Sequence, residues 1–133
     1  MASIHKDIPI DAPAHEVWDA VRDFGALHTR LVPGFVLDTK LDDDVRIVTF
    51  ANGMAAREQL VDCDDARQRL VYAIASERMK QHSASVQIIA EGEARCRMLW
   101  TTDVLPHEMA PYISAQMDQG AAAVQKRFAK LRA

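Results

Sequence analysis

Three polar side chains fall on predicted strands where they could face an apolar interior. They are Arg46, Glu58 and His82. A carboxylate in an apolar cavity has a raised pKa and can act as an acid, a base or a ligand anchor. Arginine can hold an anionic or carbonyl group, and histidine transfers protons near neutral pH. The simpler interpretation is structural: a salt bridge between Glu58 and Arg46 would satisfy both groups, and His82 would be a hydrogen-bonded wall residue.

Apolar and aromatic side chains at matching positions would complete a small-molecule site. Tyr72 and Trp100 bring a polar tip into the interior, where it needs a partner from protein or ligand. Met54, Met79 and Met117 lie at predicted loop tips or on a helix face, and methionine adapts to varied ligands but also fills cores. Glu58 and His82 are the candidate catalytic residues. The predicted ligand-binding residues are Arg46, Val48, Phe50, Met54, Glu58, Tyr72, Ile74, Met79, His82, Trp100, Ile113 and Met117.

Other site chemistries lack their sequence signals. The five histidines and two cysteines show no metal-ligand spacing. Neither Cys63 nor Cys96 has an evident activating neighbour, and the G-x-S-x-G nucleophile motif does not occur. Five isolated glycines form no phosphate-binding loop. We therefore expect no metal and no cofactor.

Composition limits the class of protein. The 133 residues are 49% hydrophobic and 26% charged, with a net charge of -3, which predicts one globular domain over residues 1–133. Mild acidity argues against a nucleic-acid partner. No stretch has the length of a membrane span, and the N-terminus resembles neither a signal nor a transit peptide. Two cysteines make no disulfide framework, so we expect a cytoplasmic protein. We expect it to be a monomer or homodimer.

The hydrophobic pattern predicts a strand, two short helices, a run of strands and one long helix. A helix opens at Asp11-Ala12-Pro13 and ends at Gly25, and a second spans 26–31. The long helix begins at His107 or Glu108 and ends at Leu131. Acidic and glycine-containing turns separate the strands, which favours an antiparallel meander. The predicted strands are 2–10, 35–41, 45–51, 56–63, 69–76, 82–90 and 94–104.

Strand alternation predicts which side chains face the long helix. Lys6 breaks the apolar parity of the first strand and could reach the rim of the site. A two-residue Asn52-Gly53 turn would place Arg46 opposite Gln59, whereas a loop of odd length would put Arg46 and Glu58 on one face. The predicted inner residues are Phe35, Leu37 and Leu41; Leu70, Tyr72 and Ile74; His82, Ala84, Val86 and Ile88; and Cys96, Met98, Trp100 and Val104.

Several short motifs in this order resemble one known superfamily. The entry segment runs from Val17 to Phe35, and a Val-Arg pair at Val45 is followed by Asn52-Gly53. An R-E-x-L motif at Arg57, a D-D-x-R-x-x-L-x-Y run from Asp64 to Tyr72 and a Trp at position 100 complete the set. The chain thus resembles the Bet v 1-like helix-grip superfamily, also called START-like or SRPBCC, and in particular its bacterial polyketide cyclase/dehydrase-like branch.

The resemblance implies an α+β helix-grip fold, in which a curved seven-stranded antiparallel sheet wraps round the C-terminal helix. It implies a cavity between sheet and helix on the order of a few hundred Å3. The loops at 52–55 and 77–80 would gate entry. We expect a hydrophobic or amphipathic, lipid-like or polyketide-like ligand, held by a carrier, sensor or sequestering protein. Two alternatives are a polyketide cyclase/dehydratase-type enzyme, using Glu58 or His82 as acid/base, and a protein-interaction module.

Overall fold

A seven-stranded antiparallel sheet holds most of the chain together in the computed structural model, which describes residues 3–129. The strand order is β1-β7-β6-β5-β4-β3-β2. The strands are β1 Ser3–Ile10, β2 Val36–Asp42, β3 Val45–Phe50, β4 Ala55–Asp64, β5 Arg69–Ile74, β6 Gln81–Glu91 and β7 Arg95–Leu105. The helices are α1 Ala14–Arg22 and α2 Ala110–Arg127, with short helical turns at Phe24–Ala26, Leu27–Leu31 and His107–Met109.

Local sequence accounts for these boundaries. Strand alternation is interrupted where the backbone adopts a positive φ, at Asp43 (55°), Gly53 (88°), Gln68 (51°) and Gly92 (77°). Each of these residues lies in a connection between consecutive strands, so the chain turns back and pairs antiparallel. The curved sheet encloses α2, and this confirms the predicted α+β helix-grip fold. The end predicted for α2 at Leu131 lies outside the described residues.

The first helix is shorter than the pattern predicts. Pro13, the last residue of the predicted opening Asp11-Ala12-Pro13, is its N-cap residue, and the helix ends at Arg22 rather than at Gly25. Gly25 lies in the following 3-10 turn, where a Cβ would come within 2.6 Å of the Leu41 side chain. Glycine at this position therefore permits the close approach of the turn to β2.

One strand presents a different face from the predicted one. A β-bulge between Val36 and Asp38 shifts the alternation of β2 by one residue. Val36 and Thr39 are consequently buried, whereas Leu37 is 59% exposed, so the prediction that Leu37 faces inward is wrong. Leu41 lies opposite Arg46 but remains exposed at the sheet edge. The inner residues predicted for β5, β6 and β7 are buried or half-buried, as expected.

The C-terminal helix packs closely on the inner face of the sheet. Gly120 permits a close approach of the helix to the sheet, since a Cβ there would lie 3.0 Å from ring atoms of Trp100 and 3.4 Å from Phe35. Val124 is buried in the main core cluster together with Ile10 and other inner residues. Within residues 3–129, no helix has both the length and the apolar character needed to cross a bilayer.

Candidate functional site

The pairing of β3 with β4 brings Arg46 and Glu58 together. Thr49 pairs with Ala55, so residues 50–54 form a loop of odd length and Arg46 lies directly opposite Glu58. Arg46 Nε donates to Glu58 Oε1 at 2.7 Å. Both residues are buried, at 5% and 4% exposure. The salt bridge considered in the structural interpretation is therefore present, and it lies inside the protein.

Neighbouring groups fix the position of the Arg46 guanidinium. Its Nη1 donates to the carbonyl oxygen of Phe24 at 3.4 Å, and its Cζ lies 4.0 Å from the centroid of the Phe24 ring. The Tyr72 ring centroid is 5.2 Å away. Cation–π contacts of this kind strengthen when they are removed from water. Arg46 is thus held by a carboxylate, a carbonyl and two aromatic rings.

Tyr72 and His82 extend this polar group along the sheet. Their ring centroids are 6.4 Å apart. Burial lowers the pKa of His82 below its usual value of 6.5, and the negative charge of Glu58 offsets part of that effect. Burial, reinforced by the Glu58 charge, raises the pKa of Tyr72. Both side chains are consequently neutral at pH 7, next to a buried ion pair.

Several buried polar atoms on this face have no hydrogen-bond partner. They are Thr39 Oγ1, His82 Nδ1, Trp100 Nε1 and Thr102 Oγ1. The indole N–H of Trp100 lies near enough to the Tyr72 hydroxyl to influence its pKa, although no hydrogen bond of ordinary geometry joins them. A buried polar group without a partner costs about 1–3 kcal/mol. Such groups call for a functional explanation or a ligand.

The N-terminal half of α2 covers this part of the sheet with apolar side chains. Ile113 and Met117 are buried there with Val104, and Met79 and Met109 pack against them. Trp100 contacts both this small cluster and the main core. We call this region the polar end of the sheet–helix interface; it consists of Arg46, Glu58, Tyr72, His82 and Trp100 on the sheet with Ile113 and Met117 on α2.

The rim of the polar end is formed by a loop and the start of α2. Met54, in the β3–β4 loop, is 47% exposed. The Tyr112 hydroxyl donates to Met54 Sδ at 3.4 Å, which joins this loop to the helix. Methionine and tyrosine at an exposed rim offer an adaptable apolar surface.

The structure brings the predicted ligand-binding residues to one face of the sheet and the helix above it. Met54 is exposed at the rim. Phe50, Ile74, Met79 and Trp100 are half-buried. Arg46, Val48, Glu58, Tyr72, His82, Ile113 and Met117 are buried.

The cavity expected between sheet and helix does not coincide with either of two clefts in the structure. One cleft, of about 370 Å3, lies at the edge of the sheet, between β1 and the C-terminal half of α2. The other, of about 400 Å3, lies between the start of α1 and the end of α2. Neither is lined by a predicted ligand-binding residue. At Gly120 the interface is closed by Trp100 and Phe35.

Comparison with known sequences assigns the chain to a family. Residues 1–129 match the family described as "Polyketide cyclase / dehydrase and lipid transport". The chain belongs to this family. Among proteins with curated functions, no sequence matches.

Solved structures show the same fold in other proteins. XoxI from Bacillus cereus is 20% identical with a TM-score of 0.83, and 96% of each chain is covered. A START superfamily protein from Mycobacterium smegmatis is 13% identical with a TM-score of 0.74, covering 95% of this chain and 96% of its own. Norcoclaurine synthase from Thalictrum flavum, solved with dopamine and hydroxybenzaldehyde, is 17% identical with a TM-score of 0.67. That comparison covers 98% of this chain and 88% of the synthase.

Some residues that shape the candidate site of this family member could not be identified from the sequence. Phe24 contributes a ring and a carbonyl to Arg46, and no sequence pattern connects these two positions. Tyr112 meets Met54 across 58 residues, which an amphipathic pattern cannot reveal. Lys6, which breaks the apolar parity of β1, donates from Nζ to Ser114 Oγ and forms a salt bridge with Asp118 on α2, both at 2.9 Å.

Proposed function

We propose that this protein binds one small hydrophobic or amphipathic molecule, lipid-like or polyketide-like, at the polar end of the sheet–helix interface. It would act as a carrier, sensor or sequestering protein. The observation that carries the proposal is the set of buried polar atoms that make no hydrogen bond of ordinary geometry, His82 Nδ1 and Trp100 Nε1 among them, beside the apolar side chains of α2. A ligand that hydrogen-bonds to them would remove a penalty that the protein alone leaves in place.

Binding in this region requires a local rearrangement. Trp100 and Phe35 now fill the space beneath Gly120, so a ligand would displace the indole or lift the N-terminal half of α2. The Met-rich cluster around Met117 can repack at low cost, because methionine is unbranched and flexible. The complex of norcoclaurine synthase with dopamine and hydroxybenzaldehyde supports the use of this fold for small aromatic molecules.

A cytoplasmic location is part of the same proposal, and the free cysteines Cys63 and Cys96 are compatible with a reducing compartment.

Fluorescence titration with the neutral apolar probe N-phenyl-1-naphthylamine tests this function. We expect saturable binding of one probe per chain. Met117→Gln places an amide among the apolar side chains of the polar end and should weaken binding at least about tenfold, equivalent to about 1.4 kcal/mol. Ala115→Gln introduces the same amide at an exposed position of α2 and should leave binding unchanged. Absence of saturable binding, or equal binding by both variants, would contradict the proposal.

The second candidate function is an enzyme that uses acid/base catalysis. The neutral protonation state of the buried His82 imidazole favours it. Its pKa is lowered by burial, so the imidazole is neutral and can accept a proton at pH 7. Glu58 is less suited to this role, because Arg46 holds its carboxylate in an ion pair. Proton abstraction beside a carbonyl is the step to examine. We would follow exchange of the methyl protons of 2-acetonaphthone in D2O by NMR, with His82→Gln as the comparison.

The exchange experiment separates the two candidates. Faster exchange with the wild-type protein, lost in His82→Gln, would support catalysis. Exchange at the rate of buffer alone would remove the catalytic candidate and leave the binding function.

A further inference from the structure

The charges on the inner face of the sheet are already neutralised inside the protein. Strand pairing places the side chains of Lys6, Arg46 and Glu58 on this face, and within the described strands these are its only Asp, Glu, Lys or Arg residues. Glu58 accepts from Arg46 at 2.7 Å, and Lys6 is 2.9 Å from Asp118 of α2. A ligand carboxylate would therefore meet no uncompensated cation there.

The four unpartnered polar atoms named above on this face of the sheet belong to neutral groups. The indole of Trp100 can only donate a hydrogen bond, whereas the hydroxyls of Thr39 and Thr102 can donate and accept. His82 is neutral, and its Nδ1 takes either role according to the tautomer. These groups complement a carbonyl, phenol or ether oxygen, whose burial needs hydrogen bonds but no counter-charge.

An ionised ligand would face a large penalty at the same place. Moving a carboxylate out of water into a protein interior is strongly unfavourable unless a cation compensates its charge. The approaching carboxylate would compete with Glu58 for Arg46, whose guanidinium is also bonded to the Phe24 carbonyl. Like charges in one buried site raise the cost further.

From these contacts we infer that the ligand of the polar end is uncharged and presents a hydrogen-bond acceptor, such as a ketone or phenol oxygen, to the Trp100 indole N–H. This inference rests on the proposed function and adds the chemical class of its ligand. It makes Trp100 a specificity-determining residue, because its N–H is the one unpartnered buried atom of the polar end that can only donate. The Arg46–Glu58 pair then excludes anions rather than binding them.

A matched pair of probes tests the inference with the full-length protein at pH 7. 2-Acetonaphthone carries a neutral ketone, and 2-naphthoate carries a carboxylate on the same ring system. We expect the ketone to bind at least about tenfold more tightly, which corresponds to about 1.4 kcal/mol. In 1H–15N spectra the Trp100 indole proton should move downfield on binding of the ketone. The Trp18 indole should not move, because it already donates to Asp65 Oδ1 at 2.9 Å.

Two variants should change the preference by releasing a cation. In Glu58→Gln the amide can still accept from Arg46, but the guanidinium loses its counter-charge. Binding of 2-naphthoate should then rise about tenfold relative to the ketone. Asp118→Asn releases Lys6 at a half-exposed position and should shift the preference in the same direction by a smaller factor. This second variant decides the matter if Glu58→Gln does not fold.

The outcomes separate the inference from the proposed function. Equal or tighter binding of 2-naphthoate by the wild-type protein would overturn the inference while leaving ligand binding intact. A ketone that binds without moving the Trp100 resonance would overturn the assignment of Trp100 as the donor. If N-phenyl-1-naphthylamine and both naphthalene probes fail to bind, the proposed function fails and the inference with it.

Discussion

The two ends of the interface between sheet and α2 have opposite characters. The apolar end, formed by Ile8, Ile10 and Met98 on the sheet and Val124 on α2, is a densely packed core. The polar end contains a buried ion pair, two neutral titratable side chains and buried polar atoms without partners. A structural core favours the first arrangement, because unsatisfied polar groups lower stability. The apolar end therefore has the composition of a structural core, whereas the polar end has the composition that we propose for a ligand site.

The largest expected effect comes from breaking the ion pair at the polar end. Glu58→Ala leaves the Arg46 guanidinium buried without its counter-charge and should lower the free energy of unfolding by about 3–5 kcal/mol. Replacing both partners, Arg46→Met with Glu58→Leu, removes the charges together and should bring stability back close to that of the wild type. Urea unfolding followed by circular dichroism measures both. A loss below about 1 kcal/mol for the single variant would mean that the pair is hydrated rather than buried.

Matched truncations compare the two ends directly. Met98 and Met117 are equally buried, and each Met→Ala change should lower the free energy of unfolding by about 2–5 kcal/mol. Only Met117→Ala enlarges the polar end, so only this variant should change the affinity for N-phenyl-1-naphthylamine. The readouts are urea unfolding and probe titration. If Met98→Ala altered probe affinity as much, the division into two ends would be wrong.

A smaller effect should appear in the pH dependence of stability. Burial lowers the pKa of His82 in the folded protein, so the unfolded chain binds more protons at this site as the pH falls below about 6.5. The contribution of neutral His82 to stability should be complete above that pH and decline as the pH drops toward the lowered folded-state pKa. Unfolding midpoints between pH 5 and pH 8 measure this slope, and His82→Gln should lack it. An identical slope in the variant would assign the titration to other groups.

Much of the fold follows from the sequence, because strand alternation and turn residues are local signals. The strand limits agree within two residues, since Asp43, Gly53 and Gly92 mark the corners. The face of β2 could not be predicted, because a bulge between Val36 and Asp38 shifts its alternation and leaves little trace in the pattern. Bulges depend on packing between strands rather than on any single residue.

The candidate site was predictable only in part. Alternation placed Tyr72, His82 and Trp100 on the inner face, but the pairing of Arg46 with Glu58 depended on a loop length that the sequence left open. The contact of Phe24 with Arg46 joins two segments of unrelated pattern. The absence of partners for His82 Nδ1 and Trp100 Nε1 depends on positions in three dimensions, which no residue type specifies.

The most direct measurement of the central claim uses the methionine methyl groups as reporters. The chain has six methionines, with Met117 at the polar end and Met98 at the apolar end. Protein labelled with 13C at the methionine methyls would be titrated with N-phenyl-1-naphthylamine, and each resonance assigned by substitution. We expect saturable shifts and intermolecular NOEs at Met117 and none at Met98. NOEs at Met98 without any at Met117, or no saturable change at either, would contradict a ligand site at the polar end.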